Sequence, residues 1–139
     1  MGFVKNYDSL ATTHERKIVL DLIEAAIYSI QPEKVMSSEF RVMSDELIIK
    51  DQNVNLKEFG RIFLIGFGKG SAKIGAIIEQ KLGEKLTEGY VIDVTSEQFG
   101  KIQGTIGTHP LPSQANIDFT KKVVERFKGK LTGKDLVLV

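Results

Sequence analysis

Cysteine is missing from the 139 residues of this chain. Its absence excludes disulfide bonds, catalysis by a thiol and zinc sites built on thiolates. A chain without disulfides also fits the reducing environment of the cytosol. We therefore expect a cytoplasmic protein.

An excess of charge of one sign is missing as well. The formal net charge is +1, from 19 Lys and Arg against 18 Asp and Glu. Nucleic-acid binders usually carry a dense basic patch, which this sequence does not have. No apolar run is long enough to span a bilayer, and the N-terminus has no apolar segment of the signal-peptide type. We expect the partners to be small molecules, not nucleic acid or membrane.

What is present is an ordinary globular composition, with 42% hydrophobic and 27% charged residues. Hydrophobic periodicity divides the chain into alternating helices and strands. The run from Ile62 to Ile65 is apolar without a break, which is typical of a strand buried on both faces of a parallel sheet. The predicted helices span 9–31, 71–86 and 113–127, and the predicted strands span 46–50, 61–65, 90–94, 102–106 and 136–139. This order predicts an α/β fold, a Rossmann-like parallel sheet flanked by helices.

Two of the helices carry further expectations. In the first, Thr12 and Glu15 have the spacing of a capping box, and Pro32 is expected to stop the helix. Its apolar stripe is expected to pack on a sheet or on another helix, and consists of Val19, Ile23, Ala26, Ile27 and Ile30. In the last helix, capped by Ser113, the residues expected to point inward are Ile117, Val123, Val124 and Phe127.

The last predicted strand, Leu136–Val139, coincides with the end of the sequence. In a parallel sheet such a strand is followed by a turn at the ligand-binding edge and then by a helix. We therefore expect residues 1–139 to be the N-terminal part of an α/β domain that is incomplete at its C-terminal end.

The most informative segment is the turn after the strand at 61–65. Gly66, Gly68 and Gly70 surround Lys69, and Ser71 begins the next helix. Glycine allows positive φ and a close approach of the backbone, and the first amides of a helix have no partner inside it. Together with the lysine ammonium group, these features predict a site for a phosphate or another anion at the edge of the sheet.

Several explanations of this turn compete. A P-loop requires G-x-x-x-x-G-K-[ST], which the spacing around Lys69 does not satisfy. A dinucleotide fingerprint is present only in part, although Asp93 stands near the position of a ribose-binding acid. An anion site of another kind would use Lys69 directly. The structural alternative is that the glycines only permit tight packing and that Lys69 is a solvated turn residue.

A second candidate segment is Thr108-His109-Pro110-Leu111-Pro112. Proline fixes φ, so the loop is stiff and can aim the imidazole of His109 at a site. The alternative is a turn in which His109 bonds to the backbone. No paired carboxylates and no metal-ligand spacing accompany it.

These segments, in this order, resemble the N-terminal part of the glycerate 2-kinase family, whose members often carry the older label hydroxypyruvate reductase. The resemblance includes the opening helix and Glu88-Gly89-Tyr90-Val91. Gly70, Thr108 and Ser113 differ from the family pattern. The motifs that carry it are Ile65-Gly66-Phe67-Gly68-Lys69-Gly70-Ser71-Ala72, Gly107-Thr108-His109-Pro110-Leu111-Pro112 and Lys134-Asp135-Leu136-Val137-Leu138-Val139.

The resemblance implies ATP-dependent phosphorylation of D-glycerate to 2-phosphoglycerate, with Mg²⁺, in a cleft between two α/β domains. It implies that Lys69 is catalytic and that the fragment alone is inactive, because the rest of the protein is needed. The residues expected to bind substrate or nucleotide are Gly66, Gly68, Gly70, Ser71 and His109. Two alternatives remain: a nicotinamide-dependent oxidoreductase domain, and a sugar-phosphate binding module without catalysis.

Overall fold

The computed structural model describes residues 2–139. Its helices are α1 (Tyr7–Leu10), α2 (His14–Ser29), α3 (Pro32–Glu39), α4 (Ser71–Leu82) and α5 (Gln114–Phe127). Its strands are β1 (Phe40–Met43), β2 (Glu46–Ile49), β3 (Gln52–Asn55), β4 (Arg61–Phe67), β5 (Glu88–Asp93), β6 (Ile102–Ile106) and β7 (Asp135–Leu138). None of the helices in this part of the chain is long and apolar enough to cross a membrane.

The main sheet has four strands in the order β6-β5-β4-β7, and every neighbouring pair is parallel. The register pairs Ile65 with Tyr90 and Tyr90 with Gln103. Because the strands are parallel, their carboxyl ends meet at one edge, where ligands bind in such sheets. The predicted α/β class with a parallel sheet between helices is confirmed.

Alternate residues of the central strands face two separate cores. Leu64 and Val91 point to the side of α4, and Phe63 and Tyr90 point to the side of α5. On the α5 side, the ring of Phe127 meets the rings of Phe63 and Tyr90 edge to face, with centroids 5.1 and 5.8 Å apart. Burial on both faces explains why β4 is apolar without alternation.

A small antiparallel sheet, in the order β1-β2-β3, covers the α4 side. Phe40 and Leu47 of this sheet are buried in the same core as Leu64. The sequence predicted only the central strand of this sheet, at 46–50. Its two neighbours are short and mostly polar or half-exposed, so their periodicity is weak.

The N-terminal helices differ from the prediction in extent and in burial. The predicted helix 9–31 is two helices, α1 and α2, and the cap of α2 is Thr13, whose Oγ1 accepts from the Arg16 amide at 3.3 Å. Pro32 does not only end α2 but also begins α3, a first-turn position that proline favours. The apolar stripe packs only in part: α2 contacts α1 and α3 and Ile27 is half-buried, but Val19 and Ile30 are 55% and 72% exposed, and the buried residue of α2 is Leu20.

The helices that flank the main sheet are closer to the prediction. Helix α4 ends at Leu82, and Gly83 caps it with φ of 53°, as expected from a C-terminal glycine. In α5 the buried residues are Phe119 and Phe127. Ile117 and Val124, expected to point inward, are largely exposed, so the inward face was predicted only in part.

Candidate functional site

The carboxyl ends of β4, β5 and β6 are joined by backbone hydrogen bonds. The Gly68 amide donates to the Ile92 carbonyl at 3.2 Å, and the Gly107 amide donates to the Asp93 carbonyl at 2.8 Å. These bonds fix the turn after β4 and the loop after β6 on either side of the end of β5. A cavity of about 520 Å³ opens between them.

This cavity brings together the main candidates from the two sequence motifs. Gly68 and Lys69 line it from the turn after β4, and His109 lines it from the proline loop after β6. Apolar side chains of the sheet and of α5 complete the wall: Ile65, Phe67, Ile92, Phe119, Val123 and Val124. One cationic group and one imidazole therefore lie at the rim of a mostly apolar cavity, at the edge where the sequence predicted a site.

The turn after β4 has the backbone conformation that its glycines permit. Gly68 and Gly70 have φ of 103° and 87°, in the left-handed region, so any other residue would be strained there. Lys69 lies between them and is exposed. Within residues 2–139 its ammonium group forms no ion pair with a carboxylate. The charge of Lys69 is thus available to an anionic ligand.

The amides at the start of α4 are less available than the sequence indicated. The Ala72 amide donates to Asp93 Oδ2 at 2.9 Å, and the Ser71 amide donates to the Gly68 carbonyl at 3.1 Å. The second oxygen of Asp93 accepts from the Val94 amide at 2.6 Å, and the residue is only 3% exposed. A carboxylate of the protein itself therefore occupies the positive end of the α4 dipole, and the expectation of bare amides is wrong for Ser71 and Ala72.

Gly66 and Ser71 contact the protein and not the cavity. A Cβ on Gly66 would lie 3.0 Å from Val91 Cγ2, so this glycine permits β4 and β5 to pack closely against α4. The hydroxyl of Ser71 donates to the Ile92 carbonyl at 2.8 Å. Gly66, Gly70 and Ser71 all lie outside the cavity wall, and their predicted ligand contacts stay predictions.

The proline loop is organised by a residue that the sequence analysis did not single out. Asn116 Oδ1 accepts from the Thr108 amide at 3.1 Å and from the Ser113 amide at 3.0 Å. His109 itself forms no hydrogen bond to the backbone in the part of the chain that the structure describes, so the expected backbone-bonded turn is not seen. The available sequence signal was the Ser113-x-x-Asn116 spacing, which resembles a capping box.

Comparison with known proteins identifies the family. Residues 18–139 match the DUF4147 family, which is described as a domain of unknown function. The chain belongs to this family.

A curated relative gives this DUF4147 chain a second point of comparison. The glycerate 2-kinase of Picrophilus torridus is 25% identical over 139 residues. The match covers 98% of this chain and 31% of that protein. The predicted resemblance to the glycerate 2-kinase family is confirmed, and the chain spans less than a third of this relative.

A solved structure matches the fold of the DUF4147 chain. The crystal structure of the PH0495 protein from Pyrococcus horikoshii OT3 superposes with a TM-score of 0.75 at 21% sequence identity. The match covers 91% of this chain and 28% of that chain. At this identity the comparison supports the α/β fold alone.

Metal-ligating side chains are not clustered in the described part of this DUF4147 chain. Residues 2–139 contain no cluster of three or more His, Asp or Glu side chains suited to a metal ion. The carboxylate at the cavity, Asp93, already accepts from two amides. The same two hydrogen bonds count against Asp93 as the ribose-binding acid of a nicotinamide site.

Proposed function

We propose that this chain is part of an ATP-dependent kinase that phosphorylates D-glycerate to 2-phosphoglycerate. The observation that carries the proposal is the common cavity of Lys69 and His109 at the carboxyl edge of a parallel sheet. The sequence similarity to a protein named glycerate 2-kinase supports it.

In this proposal Lys69 is the catalytic residue, because its positive charge neutralises negative charge on the reacting groups. Phosphoryl transfer depends on positioning and on neutralising negative charge more than on covalent chemistry. An exposed lysine without an ion-pair partner among residues 2–139 can turn its ammonium group to the carboxylate of glycerate or to phosphate oxygens. The positive φ of Gly68 and Gly70 keeps this turn open around the lysine.

His109 is assigned a binding role. His109 lines the same cavity as Lys69, and its imidazole can hydrogen-bond a hydroxyl or an anionic oxygen of the ligand. The proposal thus uses one group from each side of the cavity to orient a small polyoxygenated acid.

In this proposal the binding of ATP and Mg²⁺ requires the whole protein, and so does the side of the active-site cleft that faces the cavity. The chain spans 31% of the Picrophilus torridus relative, and residues 2–139 contain no cluster of three or more metal-ligating side chains. We propose that catalysis requires an extended protein, which contains residues 1–139 together with a region equivalent to the rest of that relative.

The test compares Lys69, in the turn before α4, with Lys73, in the first turn of α4. Lys69→Ala in the extended protein is expected to lower kcat/KM for ATP-dependent formation of 2-phosphoglycerate by about 100-fold, the usual loss for one charge-stabilising group. Lys73→Ala is the matched control, because Lys73 lies outside the cavity wall and pairs with Glu33 at 2.7 Å. It should stay within about twofold of the unsubstituted protein, as expected for an exposed ion pair.

Two results would contradict the proposal. The first is normal turnover in Lys69→Ala, and the second is an equal loss in both variants. Residues 1–139 alone are expected to form no 2-phosphoglycerate. If the extended protein bound D-glycerate but never transferred phosphate to it, the binding-module alternative would replace the kinase.

A further inference from the structure

The loop that carries His109 has few contacts of its own. His109, Pro110, Leu111 and Pro112 are all exposed, and Leu111 is 78% exposed. Proline has no amide hydrogen to donate, so two positions of the loop cannot form the usual backbone bonds. The position of the imidazole therefore depends on how the two ends of the loop are held.

Both ends of the loop are held by one side chain. Asn116 Oδ1 accepts from the Thr108 amide at the first end, and from the Ser113 amide and Oγ at the second end, both at 3.0 Å. Asn116 Nδ2 lies 3.4 Å from the Thr108 carbonyl, to which it donates. The Thr108 hydroxyl closes the loop internally by donating to the Leu111 carbonyl at 2.6 Å.

Asn116 is itself fixed by close packing. A Cβ at position 107 would lie 2.8 Å from Asn116 Nδ2, so Gly107 leaves room for the amide against the end of β6. Asn116 is half-buried and belongs to the cavity wall together with Thr108 and His109. The amide thus connects the first turn of α5, the end of β6 and the loop.

We propose that Asn116 is a positioning residue, which holds the Thr108–Ser113 loop so that His109 faces the ligand in the cavity. The nature of that ligand rests on the proposed function. The role of Asn116 in ordering the loop does not, because it follows from the hydrogen bonds alone.

Three variants separate positioning from simple capping of α5. Asn116→Ala removes every contact of the amide. Asn116→Asp keeps an oxygen that accepts from Thr108 and Ser113, but it replaces Nδ2 with a second, negatively charged oxygen that faces the Thr108 carbonyl. Ser113→Ala removes the Oγ contact at the start of α5 and leaves the Thr108–Asn116 bond in place.

The first measurement is the motion of the loop without ligand. The chain has two histidines, so the ring signals of His109 can be followed by NMR with His14 as an internal reference. In Asn116→Ala, we expect the His109 signals to shift and the amides of residues 108–111 to gain fast motion, while His14 is unchanged. Ser113→Ala should keep the order of the original loop, and Asn116→Asp should fall between Ser113→Ala and Asn116→Ala.

The second measurement is the KM for D-glycerate in the extended protein. Asn116→Ala is expected to raise KM about fivefold or more, the effect of losing about one net hydrogen bond in binding, with a smaller change in kcat. Ser113→Ala, which lies outside the cavity wall, should remain within about twofold. A purely structural role would lower the amount of folded protein without changing KM.

The inference is overturned if Asn116→Ala leaves the loop and KM unchanged, or if Ser113→Ala reproduces both of its effects. If Asn116→Ala does not fold, Asn116→Ser replaces it, because its short hydroxyl cannot reach both Thr108 and Ser113. An unchanged His109 signal in that variant would then refute the inference. If the unsubstituted extended protein does not use D-glycerate, the proposed function fails, and the ligand-free loop measurement still decides the role of Asn116.

Discussion

Replacement of Asp93 tests the most unexpected feature of the site, a buried carboxylate at the start of α4. In Asp93→Ala the amides of Ala72 and Val94 lose their acceptor. The Ala72 amide is buried, so leaving it unpaired costs about 1–3 kcal/mol. Val94 is 39% exposed, so its amide can bond to water at little cost. Loss of negative charge at the N-terminus of α4 adds about 0.3–1 kcal/mol. We expect a loss of roughly 1–4 kcal/mol in the free energy of unfolding.

Asp93→Asn provides an intermediate step. Its single side-chain oxygen can accept from the Ala72 amide, but its NH₂ group cannot accept from Val94. The expected loss is about 1–2 kcal/mol, so the order of stability should be aspartate, asparagine, alanine. For a chain of this length, each kcal/mol corresponds to roughly 4 °C in Tm.

Urea denaturation followed by circular dichroism measures these differences, and an unchanged m-value would confirm that the unfolded state is unaffected. Glu97→Gln is the control, because Glu97 is an exposed carboxylate on the loop after β5. Its stability should change by no more than about 0.5 kcal/mol. If Asp93→Ala were as stable as this control, the carboxylate would not be holding α4, and the argument against open amides would fail.

Two further predictions concern the scaffold. The ammonium groups of Lys85 and Lys57 lower the pKa of Asp45 to about 2, and the Arg61 guanidinium lowers the pKa of Asp135. Because both folded pKa values lie below the ordinary value of 3.8, this stabilisation is present above about pH 4 and decreases as the pH falls below it. The Asp45 contribution is lost as the pH falls through about 2, and the Asp135 contribution persists to lower pH. Urea midpoints that did not fall between about pH 5 and pH 2.5 would contradict this. Gly89→Ala would place a Cβ 2.8 Å from Ile102 Cγ1 and 3.2 Å from the Leu64 carbonyl, so we expect a loss of about 1–3 kcal/mol in unfolding experiments. Gly133→Ala, with nothing within 4 Å of the added atom, should be nearly neutral, and an equal loss in both variants would refute the steric explanation.

The strands of the main sheet could be predicted because their signal is local. The apolar run before Gly66 is long enough to be a strand, and burial on both faces removes the alternation of a half-buried one. The edge at which β4, β5 and β6 end then follows from parallel topology. For this reason the sequence alone is enough to place Lys69 and His109 at the same edge of the sheet.

The surroundings of α2 were not predictable in the same way. Periodicity shows that a helix has an apolar stripe, but it does not show whether another element covers it. The stripe that includes Val19 and Ile30 is largely exposed among residues 2–139. Helix α3 was missed for a different reason, since Pro32 was interpreted as the end of one helix and not as the start of the next.

The individual roles of the glycines also required the structure. Gly68 and Gly70 adopt positive φ with open space around them, whereas Gly66 and Gly75 lie against Val91, where a Cβ would come within 3.0 and 3.1 Å. The sequence shows the same residue type in both cases. Only the neighbouring strand determines whether a glycine shapes a turn or permits close packing.

The position of Asp93 changes how an anion can be recognised at this edge. Had the first amides of α4 been unoccupied, the helix itself would have supplied the site, and Lys69 would have been an addition to it. Instead the Asp93 carboxylate is bonded to the Ala72 amide, and a second anion at that point would meet a negative charge in a buried setting. The side chain of Lys69 remains the cation that reaches the cavity without a carboxylate partner in the described residues. In the proposed function, recognition of the negatively charged ligand is therefore assigned to that ammonium group and to the opposite loop, and not to the helix.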